Sequence, residues 1–215
     1  MTIETWDEQY KIGAGLRYWP DESALGFIAR RVQPSARVLD VGCGVGNNLL
    51  PLALSGITAY GIDTSQPALD LAAAHLWKFE AMSGFVAPRL MQHDVRRMPL
   101  LWSGTFDAVL DVRTLQHFQA PAEREIAYAE VRRVLKPGGW LGSGHLSHHT
   151  RPYAKIFPTS PAAWLPSAVE FRDALIDAGF VVSRFIALIR SYPGRNPDLS
   201  AVEWAGYWVV DAEKT

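Results

Sequence analysis

The stretch Ala36–Leu50, ARVLDVGCGVGNNLL, decides how the rest of the chain is read. The apolar pair Val38-Leu39 ends at Asp40, and Gly42, Gly44 and Gly46 follow at alternate positions. Asn47, Asn48, Leu49 and Leu50 then open a helical pattern. Strand, glycine turn and helix start come in that order. Glycine adopts positive φ without a Cβ penalty and lets a ligand come close to the backbone. The acid at the strand end faces the same space. Alone, the pattern points to a nucleotide-like ligand at a strand-to-helix turn.

Working downstream, Ile57–Ile62 (ITAYGI) reads as a second strand ending at Asp63. Thr64-Ser65 can cap a helix from Pro67 to Met82. Pro88–Gln92 is a third short strand that ends near His93-Asp94. Phe106–Val112 (FDAVLDV) is a fourth, and its consecutive apolar residues suit a strand buried on both faces. Pro121 opens a helix through Leu135, Pro137-Gly138-Gly139 is a stop, and Trp140–Leu146 is a fifth strand. Strands alternating with helices imply a parallel sheet covered on both faces. In such sheets ligands sit at the carboxyl ends of the strands, where Asp40, Asp63, Asp94 and the Asp111–His117 segment all fall.

The flanks read differently. Thr2–Lys11 is a helix with Trp6 and Tyr10 on one face, and Asp21–Val32 is a second helix. Residues 1–35 therefore suffice to cap a site. Ser143–Pro166 carries Pro152, Pro158, Pro161 and Pro166 and reads as mostly irregular. Ser167-Ala-Val-Glu170 is a capping box that opens a helix to Ala178. Phe180–Ile189 and Ala201–Val210 are two strands joined by SYPGRNPDLS, an antiparallel pair. We read residues 1–215 as one domain: a helical cap over 1–35, a cofactor core over 36–142, and an acceptor-side segment with a closing helix-strand-strand over 143–215.

Composition narrows the function. A hydrophobic content of 48% and a charged content of 20% over 215 residues fit one domain with a sizeable core. A net charge of −1 supplies no long-range attraction for phosphate backbones, which argues against nucleic acid as a partner. Cys43 is the one cysteine, so no intramolecular disulfide forms and a reducing compartment is compatible. The start MTIETWDEQYKIG lacks the basic and apolar blocks of a signal peptide, and no run approaches the ~18 apolar residues of a membrane span. The expectation is a soluble cytoplasmic protein, monomer or homodimer, with no membrane partner.

Taken together, these motifs resemble the class I S-adenosylmethionine-dependent methyltransferases. VLDVGCGVGN looks like the first motif of that family, YGIDTS the second and MQHDV the segment that meets adenine. FDAVLDVRTLQH resembles its fourth-strand motif, and VLKPGGWL the segment before its fifth strand. The resemblance implies a three-layer, Rossmann-like α/β fold: a seven-stranded sheet, parallel except for the seventh strand, with helices on both faces. It implies S-adenosylmethionine as cofactor and S-adenosylhomocysteine as product. Gly42, Gly44 and Asn47 of the turn would face the methionine part, and Asp40 the ammonium. Asp63, with Thr64 beside it, would take the ribose hydroxyls. Asp94 would take the adenine amino group, and the Val95 amide the ring. The backbone from Asp111 to Arg113 would lie beside the methyl donor. The opening TWDEQYKIG with Tyr18-Trp19 also looks like the aromatic start of small-molecule methyltransferases of the thiopurine and thiol type.

Each candidate has a second reading. Trp6, Tyr10, Tyr18 and Trp19 form either a lid or a helix-packing face. His117, just past the fourth strand, is a general base for an oxygen or nitrogen acceptor or a structural histidine. His145 and His148 share those alternatives, and the HLSHH cluster lacks the nearby carboxylates that would suggest a metal. Arg113, His148 and Tyr153 are candidates to line the acceptor site, with Tyr10 and Tyr18. A small-molecule methyltransferase, a non-catalytic S-adenosylmethionine-binding domain and a nicotinamide dehydrogenase are the readings to separate. The dehydrogenase fingerprint needs a glycine where Asn47 stands.

Overall fold

In the computed structural model, the described residues are 5–13, 19–150, 163–192 and 203–215, and the side chains of 189–192 and 203–205 are outside the description. The candidates Tyr18 and Tyr153, and the joining segment SYPGRNPDLS apart from Ser191 and Tyr192, lie outside the described residues. Seven strands form one sheet: β1 (Arg37–Val41), β2 (Thr58–Asp63), β3 (Arg89–Gln92), β4 (Phe106–Val112), β5 (Leu135–Leu146), β6 (Phe180–Tyr192) and β7 (Glu203–Lys214). Their order is β3-β2-β1-β4-β5-β7-β6. The β1–β2, β1–β4, β2–β3 and β4–β5 pairs are parallel, and β7 runs antiparallel to both β5 and β6. The chain order reverses between β1 and β4, where an open sheet of this kind forms its binding crevice.

Among the described residues six α-helices accompany the sheet: α1 (Trp6–Lys11), α2 (Glu22–Arg31), α3 (Leu49–Leu54), α4 (Gln66–Trp77), α5 (Pro121–Val134) and α6 (Ala168–Asp177). Their starts follow the sequence closely. The Thr5 side chain accepts from the Glu8 amide, the Asp21 side chain from Ser23 and Ser65 from Ala68. Ser167 and Glu170 form the expected capping box. Two buried clusters cover the two faces. Leu39, Val109, Val131, Leu141 and Phe171 lie on the side of α5 and α6, and Phe27, Val38, Leu49, Leu76 and Leu110 on the side of α2, α3 and α4. On the second face a Cβ on Gly142 would come within 2.5 Å of the Phe27 ring, so the glycine lets α2 lie flat on β5. Arg30 and Arg31 of α2 then reach Asp211 of β7, which is fully buried.

Two expectations are revised. Pro137-Gly138-Gly139 does not precede the fifth strand but lies within it. Phe106 pairs with Leu135 and Ala108 with Trp140, and the residues between bulge outward with Gly138 at φ 71°. Asp107, at the jump, accepts the Arg37 amide (2.8 Å) and Lys136 Nζ (2.6 Å), so both ladders next to the bulge are tied to it. The helix read to Met82 stops at Trp77, which is exposed. Phe79, Glu80 and Met82 then bond to carbonyls three residues back, a tighter winding than an α-helix.

Candidate active site

Parallel pairing brings the strand-end acids to one edge of the sheet, at successive register positions. Asp40 lies between Gly61 of β2 and Leu110 of β4, Val41 pairs with Asp111, and Asp63 closes β2. The glycine turn follows with Gly42, Gly44 and Gly46 at φ 64°, 52° and 77°, a left-handed series that side chains resist. Space enforces the same choice. A Cβ on Gly42 would stand 2.2 Å from Thr114 Oγ1, and one on Gly44 2.7 Å from the Tyr10 hydroxyl. Asn47 is half-buried in the turn, and the Asn48 side chain accepts the Asp21 amide at 3.0 Å, tying the start of α2 to the site.

The acids have different partners. Asp40 is buried, and its Oδ2 has no hydrogen-bond partner. Burial, then the charges of Asp111 and Asp63, pushes its carboxyl well above the ordinary range. Asp63 Oδ2 accepts the Gly44 amide and Oδ1 the Ser65 amide, each at 2.9 Å. Burial raises Asp63 too, with those amides opposing. Thr64 is exposed, and its carbonyl accepts Gln92 Nε2. A carboxylate offers about four lone-pair sites, so Asp63 keeps capacity for hydroxyl donors beyond its two amides.

Asp111 lies at the same edge, one register position beyond Asp40, but is fully enclosed. Its Oδ2 accepts Ser143 Oγ and His145 Nε2, both at 2.7 Å, and its Oδ1 accepts the Leu115 amide at 3.0 Å. Burial would raise the Asp111 carboxyl, but His145 and these donors outweigh it and hold it below its ordinary value. His145 is also fully enclosed, stacked on Phe171 at 4.5 Å. Neither side chain reaches the opening. The sequence expectation set the backbone around Asp111 beside the cofactor and His145 at the chemistry; in the structure the two side chains hold each other.

Past β4 the chain turns sharply at Arg113, the one non-glycine residue with positive φ (64°) among those described. A left-handed residue with a Cβ costs about 1–2 kcal/mol, so its surroundings must hold it. Its amide donates to the Gly144 carbonyl at 2.8 Å, and Gln116 Oε1 accepts the Leu146 amide at 2.8 Å. The β4–α5 turn is thus moored to β5 at several points. It presents Thr114 to Gly42, and it sets His117 edge-on against Trp6 of α1, with ring centroids 4.7 Å apart.

Helix α1 spans the two ends of this site, with Trp6 at His117 and Tyr10 at Gly44. Burial first, then Asp63, pushes the Tyr10 hydroxyl up, while Arg113 pulls it down. His148 stands apart: it stacks on His149 at 3.9 Å, lies 6.0 Å from Trp208, and contacts the Pro166 carbonyl. Asp94 is turned to Arg96, which grips both its oxygens (2.6 Å from Nη2 to Oδ2) and reaches Glu123 with Nη1 at 2.5 Å. That side-chain contact holds the Asp94 carboxyl below its usual value. Val95 is buried next to it. The structure therefore brings together Tyr10, Asp40, Gly42, Gly44, Asp63, Arg113 and His117. It leaves Asp94 with an arginine, and His148 just past the carboxyl end of β5 against His149 and Trp208. Thr114 and Gln116, which shape the turn, carry no sequence signal of their own.

The buried, unpartnered Asp40 oxygen asks for a cation, and the glycine turn leaves room where a Cβ would collide. Both fit the amino-acid end of S-adenosylmethionine, and Asp63 fits its ribose.

A family profile described as a methyltransferase domain matches residues 39–142. An uncharacterized methyltransferase from Synechocystis is 30% identical over 160 residues, covering 71% of this chain and 70% of that protein. The ubiquinone biosynthesis O-methyltransferase of Thiobacillus denitrificans is 32% identical over 117 residues, covering 54% of this chain and 47% of its own length. Among solved structures, a SAM-dependent methyltransferase from Methanosarcina mazei superposes with a TM-score of 0.70 at 22% identity, covering 87% and 96% of the two chains. The chain belongs to the class I S-adenosylmethionine-dependent methyltransferases. It spans about three tenths of the length of the sterol methyltransferases it matches and from about one half to 70% of the length of the ubiquinone biosynthesis O-methyltransferases.

Proposed function

We propose that this protein transfers the methyl group of S-adenosylmethionine to a small-molecule acceptor. The observation that carries the reading is the buried Asp40 carboxyl with an unpartnered oxygen beneath three left-handed glycines, with Asp63 at the next strand end. When bound, S-adenosylmethionine supplies an electrophilic methyl group on a sulfonium. Asp40 takes its ammonium, Asp63 its ribose hydroxyls, and the Gly42–Gly46 backbone lines the approach. The protein contributes alignment and water exclusion, and α1 serves both by spanning Tyr10 to Trp6 above the site. His117, at the end of β4 and against Trp6, is the group in place to take a proton from a hydroxyl or amine acceptor.

Support for a small acceptor comes from the relatives, which include a ubiquinone biosynthesis O-methyltransferase and sterol methyltransferases. The near-neutral charge supports it too. In this reading residues 1–35 cap the site, 36–142 hold the cofactor and 143–215 shape the acceptor side. No helix of the described residues is long and apolar enough to cross a membrane, and we place the protein in the cytoplasm. Calorimetry tests the cofactor assignment: S-adenosylhomocysteine should bind the purified chain, and absence of binding refutes it. A screen of phenolic, amine and thiol acceptors, read by formation of S-adenosylhomocysteine, tests the transfer. Turnover that survives His117→Ala undiminished on a hydroxyl acceptor removes His117 from the proton step.

A further inference from the structure

We propose that Gln116 is a positioning residue for His117, fixing the neutral imidazole with its proton on Nδ1 and its lone pair on Nε2. The inference rests on the reading of His117 as the group that takes the acceptor's proton. It adds the nitrogen that receives that proton and the residue that selects it.

Three observations carry it. First, chemistry decides which way the Gln116 amide points. Gln116 is buried, and its Oε1 accepts the Leu146 amide of β5 at 2.8 Å. A backbone N–H only donates, so the side-chain oxygen must be the atom that faces it. The NH2 end is then turned the other way, where it meets His117 Nε2 at 3.4 Å. An amide nitrogen only donates, so the ring nitrogen it meets must offer a lone pair. A neutral imidazole with its lone pair on Nε2 carries its proton on Nδ1.

Second, the contact is built into the turn. Gln116 and His117 share one short helical turn, Leu115–His117. Asp111 accepts the Leu115 amide, and the Thr114 carbonyl accepts the His117 amide at 3.0 Å. The Gln116 carbonyl accepts the Trp164 amide at 2.6 Å. Gln116 is therefore held at its backbone and again at its side-chain oxygen, which leaves its NH2 group a fixed direction. The Trp6 ring, 77° from the plane of His117, restricts rotation of the imidazole.

Third, the histidine on the neighbouring strand is set the opposite way. His145 Nε2 faces the Asp111 carboxylate, an acceptor, so that nitrogen carries a proton. At His117 the same ring position faces a donor and keeps its lone pair. Only a bare nitrogen can act as a base. An acceptor hydroxyl replaces the Gln116 N–H at that lone pair. Its O–H bond then breaks, the proton binds Nε2, and the electron pair stays on the oxygen. The imidazolium has N–H on both nitrogens, so Gln116 cannot bond to it again until the proton leaves.

NMR of the full chain with isotope-labelled imidazole nitrogens tests this, the His117 signals being assigned by their loss in His117→Gln. At mildly basic pH, wild type should show Nδ1 protonated and Nε2 bare. Gln116→Glu keeps an oxygen for the Leu146 amide but turns a second oxygen to the ring, and it should move the proton to Nε2. Gln116→Met offers the ring no donor and should shift the ratio of the two tautomers by about 2- to 10-fold towards Nε2–H, the scale of one neutral hydrogen bond. A glutamine that served only to hold the turn would leave the tautomer unmoved. Should Gln116→Glu fail to fold, the wild-type spectrum and Gln116→Met decide the matter. A wild type with Nε2 protonated overturns the proposal, and so does a ratio unchanged in the variants. The spectra need neither cofactor nor acceptor. The expected tautomer in a chain that turns over no hydroxyl acceptor therefore counts against His117 as the base and leaves its pairing with Gln116 standing.

Discussion

Replacing Asp40 by Asn should make the unliganded protein more stable and the liganded one less so. The side chain is 1% exposed, its Oδ2 has no partner, and burial followed by two neighbouring acids raises its carboxyl. An amide of the same shape removes that charge and offers N–H donors to a region rich in acids. Leaving a buried polar group unsatisfied costs about 1–3 kcal/mol, so relief of this size is the expected gain. For a chain of this length about 1 kcal/mol moves Tm by roughly 2–4 °C, which predicts a rise of a few degrees up to about 10 °C. The sign with pH follows from linkage. A carboxyl raised in the folded state stabilises the fold most below its ordinary value of 3.8, and that contribution is lost as pH rises towards the folded value. The advantage of Asp40→Asn should therefore be near zero in acid and grow to a plateau above the folded value. The same change removes the charged partner of the cofactor ammonium, weakening S-adenosylhomocysteine by about 1.5–3 kcal/mol, or roughly 10- to 150-fold. Thermal scans from acid to mildly basic pH, beside calorimetry at one pH, read both halves. A variant that melts below wild type at mildly basic pH refutes the account of Asp40 as an unsatisfied acid. Unchanged affinity for S-adenosylhomocysteine refutes its ligand role.

Other sites give independent outcomes. Asp63→Ala should weaken S-adenosylhomocysteine by about 1.5–3 kcal/mol in the same assay, and unchanged binding removes its ribose role. Gly42→Ala combines a left-handed Cβ with a collision at Thr114, worth about 1–2 and about 1–3 kcal/mol respectively. Urea unfolding should show Thr114→Gly recovering only the collision part, and full recovery would mean the backbone conformation is not strained. His145→Phe keeps the stacking on Phe171 but leaves Asp111 without its imidazole, an expected loss of about 3–5 kcal/mol by urea titration. Asp111 is depressed in the fold, so its contribution is present above its ordinary value of 3.8 and is lost as pH falls through the folded value. The difference between His145→Phe and wild type should therefore narrow in acid, and a constant gap would separate the loss from the Asp111 carboxylate.

The fold was legible wherever one local rule governed. The capping box at Ser167, the run FDAVLDV and the glycine turn each state their conformation in consecutive residues, and β4 has the expected ends. Pro137-Gly138-Gly139 misleads because a bulge and a strand start use the same residues. Only the pairing of Phe106 with Leu135 distinguishes them, and that contact is non-local. For the site, residue types at strand ends were readable, but their partners were not. Asp94 followed by Arg96 two positions later looks like any polar loop until the arginine folds back on the acid. His145 alternates with small residues in a buried strand, and nothing local indicates that it meets Asp111 on the neighbouring strand.

One residue type occurs at one edge of the sheet in three states, and partners decide which. Asp111 meets an imidazole, a hydroxyl and an amide, so its carboxylate is satisfied by hydrogen bonds inside the protein and serves to fix the β4–α5 turn. Asp63 meets two amides, which steady a charge that still has lone pairs to offer. Asp40 has an oxygen with no hydrogen-bond partner, and burial with the neighbouring acids resists its ionisation. The order of the strands produces this division. β4 borders β5, which supplies Ser143 and His145, whereas β1 lies between β2 and β4, and both neighbours bring further acids to its end. The acid at the switch point thus keeps one oxygen without a hydrogen-bond partner, and in the proposed function that oxygen is the one that meets the ammonium of the cofactor.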